Sequence, residues 1–289
     1  MIFSQHPMTT HVLQLSDLHL FAEPDAVLRE VPTRESLVEV LEAVRKTGLE
    51  FARVVVTGDV THDERRETYQ AVHTLMSEWL DRCHVLPGNH DCRALLREVF
   101  DDNAGGVGEP SEPADPDSEI CFSVSVGGWR LIGLDTQVPG KVPGRIAAGM
   151  LDWLAVELQQ HADEPTILFQ HHPPIGVGSA WLDQVGLLDP EPYRELISRS
   201  PQVRAISCGH VHQESVGTLG RSVVLTVPST GVQFKPLSST IRVDSIAPGF
   251  RIFSLDDPAA TADSDSTASP VWSTRVIRLP AITHPAVDE

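Results

Sequence analysis

The stretch VLPGNHD, from Val85 to Asp91, sets three different polar side chains directly after an apolar run and a Pro-Gly pair. Asn, Asp and Gly are common turn formers, so a plain turn accounts for most of these letters but not for His90. An amide, an imidazole and a carboxylate on one turn also suit a site that binds a ligand. What surrounds this stretch decides between a plain turn and a functional loop.

Strand patterns alternate with helix patterns on both sides of this stretch. Between the first two strands a helix is predicted after Pro32, with Thr33 as its N-cap and Gly48 at its end. A second helix is predicted across Tyr69 to Leu80. This order predicts parallel β-α-β units. The three buried strands are HVLQLSD (11–17), FARVVVTGD (51–59) and CHVLPGN (83–89).

The second part of the chain continues with short elements. A β-hairpin turning at Gly127-Gly128 is predicted for ICFSVSVGGWRLIGLD (120–135). Acidic segments rich in Gly, Pro or Ser at 101–119 and 256–270 are predicted to be loops, the first of them mobile. Further strands are predicted at TILFQ (166–170), VRAISC (203–208) and VWSTRVIRL (271–279), and helices at GMLDWLAVELQQ (149–160) and PYRELISRS (192–200). Without a composition break, residues 1–289 are expected to form a single domain.

Polar side chains follow the apolar strands at the same point, where each strand ends. Ligand sites in open α/β sheets lie beyond the carboxyl ends of the strands, so these side chains are expected to meet in one crevice. Taken singly, an Asp at a strand end, such as Asp17 or Asp59, is more often a helix cap or a turn former than a ligand. The remaining strand-end residues are His19, Asn89, His90, His171, His172, His210 and His212.

Histidines elsewhere in the chain have an ordinary explanation, as surface or satisfied core residues. His210 and His212 are different, because their spacing of two in an extended segment directs both rings the same way. Histidines without such spacing are His11, His62, His73, His84 and His161.

Composition narrows the classes of function. The formal net charge of -18 argues against binding nucleic acid or an anionic membrane surface. The first ten residues do not look like a signal peptide, and the four scattered cysteines lack a CxxC pair, so a reduced, cytoplasmic protein is expected. With thirteen histidines against 22 Lys plus Arg, a metal is the expected positive centre for a small anionic substrate.

The donor set points to two transition-metal ions. Carboxylates, an amide oxygen and several imidazoles suit Mn or Fe, and are compatible with Zn or Co. Seven ligands exceed what one tetrahedral ion accepts, and fit two ions about 3.5–4 Å apart that share a carboxylate. Cys208 is expected to be a buried thiol.

Five motifs together resemble the calcineurin-like metallophosphoesterases. They are D-x-H at Asp17 and His19, GD at Asp59, GNHD at 88–91, H-x-P at His171 and GHxH at 209–212. The stretches HHPPIGVGSAWLD (171–183) and CGHVHQ (208–213) are most similar to the bacterial class III cyclic-nucleotide phosphodiesterases. The resemblance implies an α/β fold, a four-layer αββα sandwich of two mixed β-sheets flanked by helices. The core motifs lie within 11–215, and the segment from about 216 to 289 would complete the second sheet or cap the site. For the tail after about residue 240, a dimer contact is a further alternative.

The resemblance also implies roles for individual residues. Asn89 is a neutral ligand, His90 protonates the leaving oxygen, and Asp91 orients His90. The expected substrate contacts are Asn89, His90, His172 and Trp181. His172 would otherwise support the ligands from behind or be structural, and Trp181 lines the nucleoside side or the core. In the family pattern Asp17, His19 and His212 bind one ion, Asn89, His171 and His210 bind the other, and Asp59 bridges them.

The function implied is hydrolysis of 3′,5′-cyclic AMP to 5′-AMP through attack by a metal-bridging hydroxide. A broader phosphodiesterase, acting for example on glycerophosphodiesters, is the alternative with the same chemistry. A binding module without catalysis would be expected to lack one or more ligands, and all seven are present. A nuclease is disfavoured by the negative charge. The expected partner is a small anionic phosphodiester, and the protein is expected to be a monomer or homodimer.

Overall fold

A computed structural model of the chain describes residues 9–100, 117–259 and 272–280. Its strands are, in chain order, β1 (Thr9–Leu15), β2 (Phe51–Thr57), β3 (Cys83–Leu86), β4 (Phe122–Val126), β5 (Trp129–Leu134), β6 (Thr166–Gln170), β7 (Val203–Cys208), β8 (Val216–Leu219), β9 (Ser222–Thr226), β10 (Gln233–Phe234), β11 (Val243–Asp244), β12 (Gly249–Asp256) and β13 (Trp272–Arg278). Its helices are α1 (Thr33–Lys46), α2 (Arg66–Leu75), α3 (Arg93–Phe100), α4 (Ala148–Gln160), α5 (Ala180–Asp183) and α6 (Glu191–Ser198), with a 3₁₀ helix at Ser77–Arg82.

The first sheet has the strand order β13-β12-β1-β2-β3. Strands β1, β2 and β3 run parallel and are joined through α1 and α2, which confirms the predicted β-α-β units. Strand β12 pairs antiparallel with β1, and β13 pairs antiparallel with β12. The carboxyl ends of β1, β2 and β3 therefore meet at one edge of this sheet.

The second sheet has the strand order β4-β5-β6-β7-β9-β8. Strands β5, β6, β7 and β9 are parallel, while β4 and β8 run antiparallel at its two edges. The predicted hairpin is confirmed, since Val126 pairs with Trp129 across a two-residue turn. Gly127 and Gly128 have φ of 55° and 78°, and this left-handed conformation favours glycine at both positions.

Apolar clusters of the described residues separate four layers. One cluster lies between the first sheet and helices α1 and α2, with Leu37 and Tyr69 among its members. A second fills the space between the two sheets, around Trp129 and Phe169. A third lies between the second sheet and helices α4 and α6. Two mixed sheets enclosed by helices form the expected α/β sandwich.

Several local predictions differ from the structure. Thr33 is not an N-cap, because Pro32 occupies that position and the Thr33 hydroxyl donates to the carbonyl of His19 at 3.0 Å. The helix predicted to Leu80 is interrupted at Met76, where a 3₁₀ helix follows. Side chains three residues apart lie above each other in a 3₁₀ helix, so Met76 and Trp79 both remain buried.

Strands beyond residue 216 divide between the sheets. β8 and β9 complete the second sheet, which was one of the expected alternatives, but β12 and β13 belong to the first sheet, which was not among them. Most of the predicted acidic loops, at 101–116 and 260–270, lies outside the described residues. Among the described helices, none has the length and apolar character needed to cross a membrane.

Candidate metal centre

Polar side chains from both sheets converge at the carboxyl ends of their parallel strands. The first sheet contributes the residues that follow β1, β2 and β3, and the second contributes those that follow β6 and β7. Six of the seven proposed ligands are buried and Asn89 is half-buried. The seven are Asp17, His19, Asp59, Asn89, His171, His210 and His212.

The backbone at these positions is unusual, because five of the seven proposed ligands have a left-handed conformation. Their φ angles are 54° at Asp17, 46° at His19, 51° at Asp59, 70° at His210 and 47° at His212. Such conformations cost about 1–3 kcal/mol each and concentrate at functional sites. The spacing of His210 and His212 therefore does not act through an extended segment, as the sequence suggested, but through two left-handed residues after β7.

Two glycines let the loops after β2 and β3 pack against each other. Gly58 has φ 90°, and a Cβ there would lie 2.6 Å from both Gly88 N and His171 Nδ1. A Cβ on Gly88 would collide with the carboxylate of Asp59. Glycine at both positions thus permits the close approach that brings Asp59 to the histidines.

One half of the cluster is formed by Asp17, His19, Asp59 and His212, whose ligand atoms all lie within 4.8 Å of one another. His19 Nε2 is 3.0 Å from His212 Nε2 and 3.4 Å from Asp59 Oδ2. His212 Nε2 also lies 3.5 Å from Asp17 Oδ1. Four donor atoms therefore face a common point.

The other half is formed by Asp59, Asn89, His171 and His210. His171 Nε2 is 3.4 Å from Asp59 Oδ2 and 3.3 Å from Asn89 Oδ1. His210 Nδ1 approaches the same Asn89 oxygen at 3.0 Å. Because Asp59 Oδ2 lies 3.4 Å from a histidine of each half, it is the atom that the two halves share.

Hydrogen bonds fix which nitrogens are free to bind a metal. His171 donates from Nδ1 to the Thr57 carbonyl at 2.7 Å, and His212 donates from Nδ1 to the Val232 carbonyl at 2.8 Å. In the neutral form of each ring, Nε2 therefore carries the lone pair, directed toward the cluster. Carbonyl partners behind the ring are typical of histidines that bind metals.

The cluster contains polar atoms that a cation would satisfy. Asp17 Oδ2 is buried and has no hydrogen-bond partner. The lone pair on His212 Nε2 faces His19 Nε2 at 3.0 Å, a contact that requires a proton or a cation between two neutral rings. This His/Asp cluster is consistent with a dinuclear metal site.

Burial favours the neutral, metal-binding form of two ligand imidazoles, those of His19 and His210. It lowers the pKa of His19 well below the usual range and that of His210 to about 3. For His171 burial also acts to lower the pKa, but Asp59 outweighs it and raises the pKa to about 9. Burial opposes ionisation of Asp59, yet His171 and His19 hold the pKa of its carboxyl well below the usual range.

His90 lies beside the cluster without contributing to either half. Its backbone N–H donates to Asp59 Oδ1 at 2.9 Å. Its ring meets the His19 ring edge-on, with centroids 5.0 Å apart. The side chain is half-buried, so it borders the crevice from which a substrate would enter.

Asp91 does not orient His90, which corrects the sequence-based expectation. Its carboxylate accepts hydrogen bonds from the backbone N–H groups of Val60, Thr61 and Gly88 at 2.8–3.2 Å, and from the Tyr69 hydroxyl at 3.2 Å. These groups flank the loops after β2 and β3. Asp91 therefore holds the loop of Asp59 against the loop of Asn89.

His172 is likewise not placed to bind a metal or a substrate. Its Nε2–H donates to the Val142 carbonyl at 2.9 Å, and its Nδ1 pairs with the Thr136 hydroxyl at 2.8 Å. It is near His171 and His210, but both of its nitrogens are occupied. The expectation of a substrate contact is corrected, and His172 anchors the loop between β5 and α4.

Trp181 lies at the outer end of a row of aromatic rings. It contacts Phe234 edge-on, with centroids 5.0 Å apart, and Phe234 stacks on the His212 ring at 4.5 Å. The indole Nε1 has no hydrogen-bond partner. Trp181 is thus adjacent to the centre through Phe234, a residue that the sequence did not single out.

Sequence reasoning missed a buried network behind the centre. Arg93 forms a two-point ion pair with Asp135, at 2.8 and 3.0 Å, directly after β5. Gln137 donates to the carbonyls of Gly88 and Asp91. Asp135 follows an apolar strand just as Asp17 and Asp59 do, and that signal was available in WRLIGLD. The network links the second sheet to the loop after β3.

His62 was also missed, since the sequence offered only an ordinary explanation for it. It forms a group with His19 and His90 whose ligand atoms lie within 4.8 Å of one another. Its position three residues after Asp59 is the signal that could have identified it.

The chain is similar to known phosphoesterases in sequence and in fold. A family model described as calcineurin-like phosphoesterase matches residues 10–214. The 3′,5′-cyclic adenosine monophosphate phosphodiesterase CpdA of Vibrio vulnificus is 35% identical over 245 residues, covering 84% of this chain and 85% of the relative. A 3′,5′-cyclic-nucleotide phosphodiesterase of Nostoc is 30% identical over 269 residues, covering 93% of this chain and 92% of the relative. A dimetal phosphatase from Danio rerio shares the fold, with a TM-score of 0.61 at 18% identity over 86% of this chain and 95% of that chain.

Proposed function

The chain belongs to the calcineurin-like phosphoesterase family, and we propose that it hydrolyses 3′,5′-cyclic AMP to 5′-AMP at a two-metal centre. The observation that carries the proposal is the position of Asp59 Oδ2, 3.4 Å from both His19 Nε2 and His171 Nε2. One carboxylate oxygen shared by two sets of donors is the arrangement that a pair of ions requires. The similarity to cyclic-nucleotide phosphodiesterases over most of the chain supports the choice of substrate.

The donor chemistry supports Fe, Mn or both, with Zn and Co as alternatives. When bound, such a pair would supply Lewis acidity to the phosphoryl oxygens and would lower the pKa of a water to about 7, which makes that water a better nucleophile. One ion would be held by Asp17, His19 and His212, the other by Asn89, His171 and His210, with Asp59 between them.

Asn89 and His90 have different functions beside the two ions. Asn89 contributes an oxygen without a charge, so the centre carries two carboxylates and still accepts a phosphodiester anion. His90, beside Asp59 on the crevice side, donates a proton from its imidazole to the departing 3′ oxygen. Cleavage of the P–O3′ bond and formation of the new P–O bond from water leave a 5′-monophosphate.

The nucleoside part of the substrate is assigned to the aromatic row beside His212. Phe234 and Trp181 present ring surfaces there, and aromatic faces stack well on nucleobases. Such stacking tolerates any base, so preference for adenine over guanine must come from polar contacts.

The state of the four cysteines fits a protein of a reducing compartment such as the cytoplasm. Cys83, Cys92, Cys121 and Cys208 are all free thiols, and burial raises the pKa of Cys83 to about 12. Free thiols of this kind need no oxidising environment.

A side-by-side assay tests the proposal. Protein reloaded with Mn²⁺ is incubated with cyclic AMP, cyclic GMP, glycerophosphodiesters and bis(p-nitrophenyl) phosphate, and kcat/KM is compared. Cyclic AMP is expected to be the best natural substrate. A higher kcat/KM for glycerophosphodiesters would favour the broader phosphodiesterase, and no turnover of any diester would favour a binding module.

A further inference from the structure

His62 lies in direct contact with two residues of the centre. Its Nδ1 is 3.2 Å from His19 Nδ1, and its ring stacks on that of His90 with centroids 4.7 Å apart and an angle of 20°. Phe21 packs against the His62 ring at 4.9 Å. The His62 backbone N–H donates to the Leu20 carbonyl at 2.8 Å, so the position of the residue is fixed by the main chain.

The contact with His19 has a defined direction if His19 binds a metal. His19 Nε2 faces Asp59 and His212, so this nitrogen provides the lone pair. A neutral imidazole then carries its single proton on Nδ1, which donates to His62 Nδ1. His171 and His212 use backbone carbonyls for the same purpose. His62 takes the place of that carbonyl for His19.

The contact with His62 orients the His90 ring, which the Asp91 carboxylate does not do. The carboxylate of Asp91 is occupied by three backbone N–H groups and Tyr69. The near-parallel face of the His62 ring restricts rotation of the His90 ring. Among the described residues, the ring contacts of His90 come from His19 and His62.

We propose that His62 is a positioning residue of the metal centre with two separable functions: its Nδ1 fixes His19 for coordination, and its ring face holds His90 against the crevice. The first function rests on the proposed assignment of His19 as a ligand. Neither function requires His62 to touch the substrate.

Two substitutions separate these functions. His62→Asn keeps an acceptor oxygen near the position of Nδ1 but loses the ring. His62→Phe keeps a ring but loses the acceptor. His73→Phe, at a half-buried position on α2 away from the centre, is the matched control. Urea unfolding of the metal-free variants verifies that each is folded, which the partial exposure of His62 favours.

Zn²⁺ affinity, measured by competition with a chromophoric chelator, tests the first function. Loss of a hydrogen-bond partner behind a metal ligand typically lowers affinity about 10–100-fold. His62→Phe should show this loss for one of two ions, while His62→Asn and His73→Phe should stay close to wild type. Equal affinity in His62→Phe and wild type, or equal losses in His62→Phe and His62→Asn, would overturn this function.

The ring resonances of His90 in the zinc-loaded protein, assigned with His90→Ala, test the second function. The ring-current shifts of the His90 resonances should persist in His62→Phe and be lost in His62→Asn. Unchanged His90 resonances in His62→Asn would overturn the stacking function. Both measurements are independent of cyclic AMP, so an enzyme that failed to hydrolyse it would refute the proposed function without deciding the role of His62.

Discussion

Replacing Asp91 by alanine removes the acceptor that holds two loops of the centre together. In the folded protein, the carboxylate accepts from the N–H groups of Val60, Thr61 and Gly88, and from Tyr69. All of these residues are buried, so water does not readily replace the carboxylate. Asp91→Ala should therefore destabilise the protein strongly.

The magnitude follows from the number of donors left without a partner. Each buried unsatisfied donor costs about 1–3 kcal/mol, and water entering the small space left by the side chain recovers part of this. For three N–H groups the expected loss is about 3–6 kcal/mol, a large part of the roughly 5–15 kcal/mol by which proteins are stable. The loops of Asp59 and Asn89 would separate, so metal binding should be lost as well.

The assay is urea unfolding of metal-free protein at pH 8. Burial and Asp59 raise the pKa of Asp91 to about 7, so at pH 8 most of the carboxyl is ionised. Asp183→Ala is the matched control, because its exposed carboxylate also accepts from two backbone N–H groups, those of Val177 and Gly178. The control should remain within about 1 kcal/mol of wild type, since solvent reaches those donors.

One result would refute this reasoning. If Asp91→Ala unfolded within about 1 kcal/mol of wild type, bound both ions and lost activity only on substrates with poor leaving groups, Asp91 would orient His90 after all.

Three other substitutions probe different parts of the molecule. His90→Ala should lower kcat about 10²–10⁴-fold on cyclic AMP but far less on bis(p-nitrophenyl) phosphate, whose leaving group needs no proton; equal losses on both substrates would assign His90 to phosphate binding instead. Asp59→Ala should release both ions while Asn89→Ala weakens mainly one, and elemental analysis that found two tightly bound ions in Asp59→Ala would exclude Asp59 as the bridge. His84 has a folded pKa of about 4, lowered by burial and then by Arg53, against 6.5 when unfolded. The unfolded state therefore binds more protons between these values, and stability is lost as pH falls from 6.5 toward 4. His84→Leu should reduce this pH-dependent loss in the free energy of unfolding by up to about 3 kcal/mol. The same dependence of the unfolding free energy on pH in wild type and variant would contradict this account.

The sequence predicted where the candidate site would lie because its signal is local. Asp17, Asp59 and His171 each follow an apolar run, and parallel strands bring their carboxyl ends to one edge. The hairpin at Gly127-Gly128 was predictable for a similar reason, since the turn needs two residues that accept positive φ.

The parts that escaped prediction depend on contacts between distant segments. Strand β12 pairs with β1 across most of the chain, and no local pattern assigns it to the first sheet. The partners of Asp91 are backbone N–H groups, which leave no trace in residue identity. His62 seemed ordinary because its contacts with His19 and His90 arise only when the loops after β1, β2 and β3 meet.

The most direct measurement titrates Mn²⁺ into metal-free protein while recording both bound metal and the rate of cyclic AMP hydrolysis. Seven ligand side chains converge, and Asp59 Oδ2 is shared between the two halves of the cluster. We therefore expect two ions to bind per chain, and the rate of hydrolysis to reach its maximum only when the second ion has bound. Full activity with one ion per chain, or in protein that elemental analysis shows to be metal-free, would contradict a two-metal phosphodiesterase.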